Sequence, residues 1–123
     1  MKGLIIVLVI CVSGWWFWGR TIPAVQVIEA QLDALGRRDF ATAYDYLATR
    51  TKANMSPEEF RSRVQDNDPI MDRANSRFWS RSIDNNVATI SGTIEAMSTK
   101  QTKARYILIK EGDRWVIQSF TFQ

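Results

Sequence analysis

Hydrophobic positions follow two patterns along the chain: an almost unbroken apolar run over residues 4–18, and regularly spaced apolar positions from residue 24 onward. At the start of the spaced region the apolar side chains are three or four residues apart, at Val25, Ile28, Leu32 and Leu35. This spacing predicts one helix with a single buried stripe, and Gly36 is predicted to end it.

Two more helices are predicted from their start signals. Asp39 is positioned to cap a helix over 40–50. Ser56, with Glu59 three residues later, forms the capping box of a further helix within 55–65. The first half of the spaced region is therefore predicted to be helical.

From residue 76 onward the period of the apolar positions changes to two, which is typical of strands. Four strands are predicted, over 76–83, 87–96, 103–111 and 114–122. The links between them are short and rich in turn residues, which predicts consecutive hairpins and an antiparallel sheet. Helices followed by strands predict an α+β domain, in which about three helices pack on one face of a four-stranded sheet.

Both faces of this predicted sheet are partly apolar. Phe78 and Trp79 are adjacent in a strand and must point to opposite faces. In the same way Tyr106 and Leu108 oppose Ile107 and Ile109, while Trp115 and Ile117 oppose Val116 and Phe120. One face covers the helices, and the other is either a partner surface or is brought inside by a bulge in the last strand.

The apolar run at the start of the chain, LIIVLVICVSGWWFW, allows three interpretations. A cleaved secretory signal would leave the aromatic cluster at a new terminus, and a buried core helix would duplicate what the later elements supply. An uncleaved transmembrane anchor over residues 1–22 fits best, because a helix from Lys2 to Ile22 spans about 31 Å, the thickness of the hydrocarbon core. The cluster then forms an interfacial belt of Trp15, Trp16, Phe17, Trp18 and Arg20.

Composition limits the chemistry of the expected domain, residues 23–123. The chain of 123 residues carries a net charge of +3 without a basic block, which argues against nucleic-acid binding. Histidine is absent, which removes the commonest general base and metal ligand, and the single Cys11 cannot form an intrachain disulfide. We therefore predict no catalytic residues, no cofactor and no metal site.

Two acidic sites were the strongest candidates against that prediction. Asp45 lies between two tyrosines, but neighbours in a helix point in different directions, so Tyr44 is expected in the core and Asp45 in water. The segment DNDPIMD carries Asp66, Asp68 and Asp72 but lacks the glycine and terminal glutamate of a calcium loop. A helix-ending turn rich in Asx residues explains this segment equally well.

Three motifs occur in a recognisable order along the domain. They are the turn from Gly36 to Phe40, then Ala43, Tyr44 and Leu47, and finally Gly112, Trp115 and Ile117 in the last hairpin. Together they resemble the nuclear transport factor 2-like (NTF2-like, cystatin-like cone) superfamily, in its small bacterial branch of unassigned function. The resemblance implies a curved sheet wrapped around the helices, a cone able to hold a pocket, and dimerisation through the open sheet face. Enzymatic members place an Asp–His pair, or a tyrosine and an aspartate, inside the cone.

The cellular location of the domain is inferred from the charges and the apolar run at the start of the chain. Lys2 favours an N-terminus inside the cell and Arg20 opposes it, but a start that imitates an export signal usually carries the following domain across the membrane. With the bacterial resemblance, this predicts a single-pass protein of the bacterial inner membrane with a periplasmic domain.

Three functions are compatible with these observations. The first is a non-catalytic, membrane-anchored accessory subunit that docks onto or scaffolds a larger membrane-protein complex, with lipid and other subunits as partners. The second is a small-molecule-binding domain or enzyme that uses the cone pocket, and the third is a homodimeric scaffold. The residues expected in the pocket or on the partner face are Tyr44, Tyr46, Phe60, Met71, Trp79 and Tyr106.

Overall fold

The computed structural model describes residues 22–123. Helix α1 covers residues 22–36 of this range. Four shorter helices follow: α2 (Phe40–Asp45), α3 (Thr49–Asn54), α4 (Pro57–Val64) and α5 (Asp68–Met71). The strands are β1 (Arg73–Asp84), β2 (Val87–Ala96), β3 (Gln101–Glu111) and β4 (Arg114–Phe122).

The four strands form one antiparallel sheet in the order β1-β2-β3-β4, as the hairpin pattern predicts. Asn85 and Gly112, in the first and last turns, have φ values of 57° and 64°, which suits tight hairpins. The stripe of α1 is buried on one face of the sheet, with at most 6% exposure at Val25, Ile28, Leu32 and Leu35. The predicted α+β architecture is confirmed.

Helix α1 ends near Gly36, but the residue in the left-handed conformation is Arg38, with a φ of 62°. The N–H of Asp39 donates to Ala34 O and that of Arg38 to Leu35 O, which is the Schellman pattern. The Arg38 guanidinium also donates to Met71 O at 2.7 Å. Its side-chain contact with α5 explains why an arginine occupies a position that favours glycine.

The prediction of one helix over 40–50 is wrong. The helix stops after Asp45, and Leu47 forms a parallel bridge with Ile117 of β4. Two backbone hydrogen bonds hold this bridge: Ile117 N–H donates to Tyr46 O at 2.9 Å, and Ala48 N–H donates to Ile117 O at 2.8 Å. Helix α2 ends at Asp45 because residues 46–48 cover the otherwise unpaired edge of β4.

Helix α3, which begins directly after this bridge, extends the cover of β4. The N–H and hydroxyl of Thr49 both donate to the Glu111 carboxylate at 2.9 Å, and these bonds lower the pKa of Glu111. Thr51 donates its hydroxyl to Gln118 O at 2.7 Å. By contrast, within residues 22–123 no further strand pairs with the outer edge of β1.

A bulge in β1 lies at the point where Phe78 and Trp79 turn to opposite sides of the sheet. Arg77 pairs with Thr93 and Ser80 with Ser91, so Phe78 and Trp79 together oppose the single residue Gly92. Phe78 is 5% exposed on the helix side, whereas Trp79 is 63% exposed on the other side. Their predicted opposition is therefore correct.

A second bulge changes the predicted face of Phe120. Leu108 pairs with Ile117 and Ile107 with Ser119, so Gln118 is an extra residue in β4. The shift turns Phe120 to the same side as Ile117, where its ring contacts Phe60 at a centroid distance of 5.9 Å. Placing Phe120 opposite Ile117 was wrong, and the bulge interpretation is correct for this residue.

The predicted anchor, residues 1–22, lies outside the described residues except for Ile22. Within residues 22–123 no helix combines the length and the apolar character needed to cross a membrane.

Gly92→Ala is expected to destabilise the domain. A methyl group at this position would lie 1.9 Å from Arg77 O and 2.8 Å from Phe78 Cα, and both are backbone atoms that cannot move without disturbing the bulge. The free energy of unfolding should fall by about 1–3 kcal/mol, measured by chemical denaturation of the full chain in detergent. Ser91→Ala on the same strand is the control, and equal losses in the two variants would refute the steric explanation.

Candidate functional site

The space between the helices and the sheet is filled by aromatic rings. Each ring contacts the next, with centroid distances between 5.4 and 6.3 Å, in the order Tyr44, Phe60, Phe120, Phe122, Tyr106 and Phe78. Four of the five contacts are edge-to-face, a geometry that aromatic pairs favour. We call these six residues the aromatic row.

The two tyrosines of this row differ in their hydroxyl groups. The Tyr44 hydroxyl lies 2.6 Å from Met55 O and 3.0 Å from Lys52 O, so it has a carbonyl to donate to. The Tyr106 hydroxyl is fully buried and has no hydrogen-bond partner among the described residues. Burial raises the pKa of the Tyr106 phenol, and the nearby Arg73 guanidinium opposes this shift only in part.

The six residues predicted for a pocket or partner face do not share one site. Phe60, Met71 and Tyr106 are buried, and Tyr44 and Tyr46 are partly buried against the same core. Trp79 lies on the opposite side of the sheet. Four surface depressions are described among residues 22–123, and of these six residues they involve only Trp79.

The acidic residues considered from the sequence occupy structural positions. Asp45 is exposed, as expected. In the DNDPIMD segment, Asp68 pairs with Lys100 at 3.2 Å and Asp72 with Arg38 at 2.9 Å. The side chain of Asn67 caps α5, which agrees with an Asx-rich turn. Within residues 22–123 no three metal-binding side chains come together.

The side of the sheet that faces away from the helices, here called the outer face, carries the most accessible chemistry. Many of its side chains are hydroxyl-bearing, namely Ser80, Ser82, Thr89, Ser91, Thr93, Ser119 and Thr121. Three cations, Arg77, Lys103 and Arg105, are exposed among them. No carboxylate of residues 22–123 lies within ion-pair distance of these three cations.

Trp79 stands at the edge of this cationic group. It lines a depression of about 310 Å³ together with Asn75, Arg77, Thr93, Glu95 and Gln101. The Glu95 carboxylate accepts a hydrogen bond from the Gln101 amide at 3.1 Å, so the acid in this depression is held by an amide rather than by a cation.

The other end of the outer face is apolar. Ile107 and Ile109 are half-buried there and form part of a depression of about 600 Å³, whose further residues include Met55 and two arginines, Arg50 and Arg63. The outer face therefore combines an exposed indole, three cations and an apolar strip.

Sequence reasoning identified Trp79 but did not single out the three cations. The available signal was the two-residue period of β3, which places Lys103 and Arg105 on the same face as Ile107. The residues of the predicted interfacial belt, from Trp15 to Arg20, lie outside the described residues.

Comparison with solved structures identifies the fold class. The chain is similar to the crystal structure of an NTF-2-like protein of unknown function from Shewanella oneidensis MR-1, with a TM-score of 0.63 and 15% sequence identity. The match covers 84% of this chain and 98% of that one. The NTF2-like resemblance predicted from the sequence is confirmed, and at this identity it shows the fold alone.

The family follows from a sequence match. The family described as a domain of unknown function (DUF4864) matches residues 20–123, and the chain belongs to it. No curated protein matches the chain significantly.

Tyr106→Phe and Tyr44→Phe are expected to change stability in opposite directions. Removing the Tyr106 hydroxyl eliminates a buried group without a partner, so the free energy of unfolding should rise by about 1 kcal/mol. Removing the Tyr44 hydroxyl deletes a satisfied hydrogen bond and should cost about 1 kcal/mol. Denaturant unfolding measures both, and a clear loss in Tyr106→Phe would show that this hydroxyl has a partner.

Alkaline pH provides a second test of the buried phenol. Because burial raises the pKa of Tyr106, the folded state keeps a proton that the unfolded state releases near pH 10. The free energy of unfolding is therefore independent of this group's titration below the unfolded-state pKa, and it falls as the pH rises from there towards the folded-state pKa. Above about pH 10, the free energy of unfolding should therefore fall faster in the natural chain than in Tyr106→Phe, by up to about 1.4 kcal/mol per pH unit. Parallel pH profiles would contradict the expectation.

Proposed function

We propose that the chain is a non-catalytic accessory subunit, anchored by its N-terminal apolar segment, whose outer face docks onto a larger membrane-protein complex. The observation that carries this proposal is the position of Trp79. Trp79 is 63% exposed on the outer face, in the edge strand β1, and so keeps a large apolar area in water. Tryptophan is enriched among the residues that contribute most to protein interfaces.

The filled interior supports a surface function over a pocket function. The aromatic row occupies the place where a cone would hold a ligand, and its rings contact one another. A ligand in that space would have to displace Phe60 or Phe120 from packed positions, at the cost of well-formed contacts. The outer face needs no such rearrangement.

The charges of the outer face indicate the chemistry of the partner. Arg77 and Lys103 both pair in register with Thr93, from either side, so their backbones are about 10 Å apart. Arg105 lies two residues from Lys103 on the same face. Cations this close repel one another, and an acidic surface relieves the repulsion and provides charge-assisted hydrogen bonds. We therefore propose an acidic partner surface with an apolar centre that receives Trp79.

The proposed anchor reduces the affinity that this contact must supply. A tether that holds two proteins in one membrane converts docking into a local event at high effective concentration. An interface built around one indole and three cations is small, and tethering makes such an interface sufficient.

A small-molecule site in the cone is the second candidate, and one observation favours it. The unpartnered Tyr106 hydroxyl is a buried donor, and a bound molecule with an acceptor group would satisfy it.

Trp79→Ala should abolish most of the association. In native membranes treated with a chemical cross-linker, the yield of cross-linked species larger than the chain should fall at least about tenfold, because an aromatic anchor of this kind contributes about 2 kcal/mol. Met97→Ala is the matched control: Met97 is 77% exposed but lies at the β2–β3 turn, and its loss should leave the yield unchanged. Recovery of lone monomers from the natural chain, or equal yields for Trp79→Ala and the natural chain, would overturn the proposal.

A further inference from the structure

The first described turn of α1 lies at one end of the sheet. Pro23 borders a depression of about 330 Å³ together with Ile83, Asn85 and Asn86 of the β1–β2 hairpin and Lys110, Asp113 and Trp115 of the β3–β4 hairpin. The chain therefore enters the described domain beside both of these hairpins. We call this the hairpin end.

The other end of α1 lies at the opposite end of the sheet. Arg38, just beyond the helix, pairs with Asp72 at 2.9 Å, and Asp72 O accepts a hydrogen bond from the N–H of Met97 in the β2–β3 turn. Helix α1 thus runs along the strands, from the hairpin end to the β2–β3 turn.

We infer that the hairpin end faces the lipid surface and that the strands stand away from it. The inference rests on the anchored part of the proposed function. Trp18, the last tryptophan of the apolar segment, is four residues from Ile22, and four residues span at most about 14 Å. With Trp18 at the headgroup level, the start of α1 and the hairpins beside it lie within that distance of the membrane surface.

The surface chemistry of the hairpin end fits contact with headgroups. Of the large apolar residues exposed in residues 22–123, Ile22 and Val87 lie at this end, with exposures of 42% and 40%. The Lys110 ammonium lies 5.4 Å from the centre of the Trp115 ring, which pairs a cation with an aromatic side chain as is common at membrane interfaces.

The charges at this end indicate which lipids it requires. Lys110 and Arg114 are accompanied by the acids Asp84, Glu111 and Asp113, so these five side chains carry a net charge of −1. Electrostatic attraction to anionic lipid therefore contributes little, and the orientation depends on the tether and on apolar contact. It should be the same on zwitterionic and anionic membranes.

This orientation sets the height of the docking surface. Strands of 9–12 residues extend about 30–40 Å from the membrane side. Trp79 is five residues from Asp84, the last residue of β1, which places it about 17 Å beyond the hairpin end. At that height the outer face meets the extramembrane part of a neighbouring protein and lies beyond the lipid headgroups.

The experiment measures the distance of single spin labels from the bilayer. The full chain with Cys11→Ser is placed in nanodiscs of phosphatidylcholine, with and without phosphatidylglycerol, that contain a small fraction of lipid carrying a gadolinium headgroup. Labels are attached at Asn86→Cys and Asp113→Cys at the hairpin end, and at Ser98→Cys in the β2–β3 turn as the matched control. All three positions are exposed turn residues, so folding should be unaffected.

Relaxation of the labels by the headgroup gadolinium should be at least fivefold stronger at positions 86 and 113 than at position 98, in both lipid mixtures. Equal relaxation at the two ends, stronger relaxation at position 98, or failure of the chain to insert into nanodiscs would each overturn the inference. Its outcome is separable from that of the docking proposal. A correctly oriented chain that yields no cross-linked partner refutes docking alone, and a Trp79-dependent complex with the opposite orientation refutes the orientation alone.

Discussion

The close approach of the β1 backbone to Gly92 is the contact on which both faces of the sheet depend. Arg77 and Phe78 lie where any side chain on β2 would have to be, so only glycine permits the bulge at this level. The bulge sends Phe78 into the aromatic row and leaves Trp79 outside. Without it, the register set by the β1–β2 hairpin would put Trp79 opposite Gly92 on the helix side and Phe78 opposite Thr93 on the outer face.

Packing of the interior explains why accessible chemistry lies on the outer face. The bulge at Gln118 brings Phe120 to the helix side, where it contacts Phe60 and Phe122 and closes the aromatic row. A cone closed in this way gains apolar burial, and none of the four surface depressions named above among residues 22–123 is lined by a residue of the aromatic row. Among residues 22–123, the Tyr106 hydroxyl is the one buried side-chain nitrogen or oxygen without a hydrogen-bond partner.

Local signals in the sequence predicted the elements well. The period-two pattern found the four strands, and the Ser56 and Asp39 caps both form, with side chains that accept from Glu59 N–H and Thr42 N–H. The errors arose where contacts between residues distant in the sequence determine the local structure. Leu47 leaves its helix because it pairs with Ile117, seventy residues along the chain, and no local pattern contains that pairing. Phe120 changes face because of a one-residue register shift, which alternation alone cannot show. Adjacency to Phe78 was enough to predict that Trp79 points to the opposite face of the sheet. That Trp79 lies apart from the other pocket candidates could be seen only in the folded sheet.

The two edges of the sheet indicate how the outer face engages a partner. The β4 edge is covered by residues 46–48, so it cannot accept another strand at that level. No further strand of residues 22–123 pairs with the β1 edge, which carries Arg73, Arg77 and Arg81 at every fourth position. Charged side chains along an edge oppose strand addition. Docking by strand pairing is thus disfavoured at both edges, and recognition is left to the side chains of the outer face. Under the proposed function, a membrane tether would hold the chain beside its partner, so side-chain contacts of this kind would be sufficient.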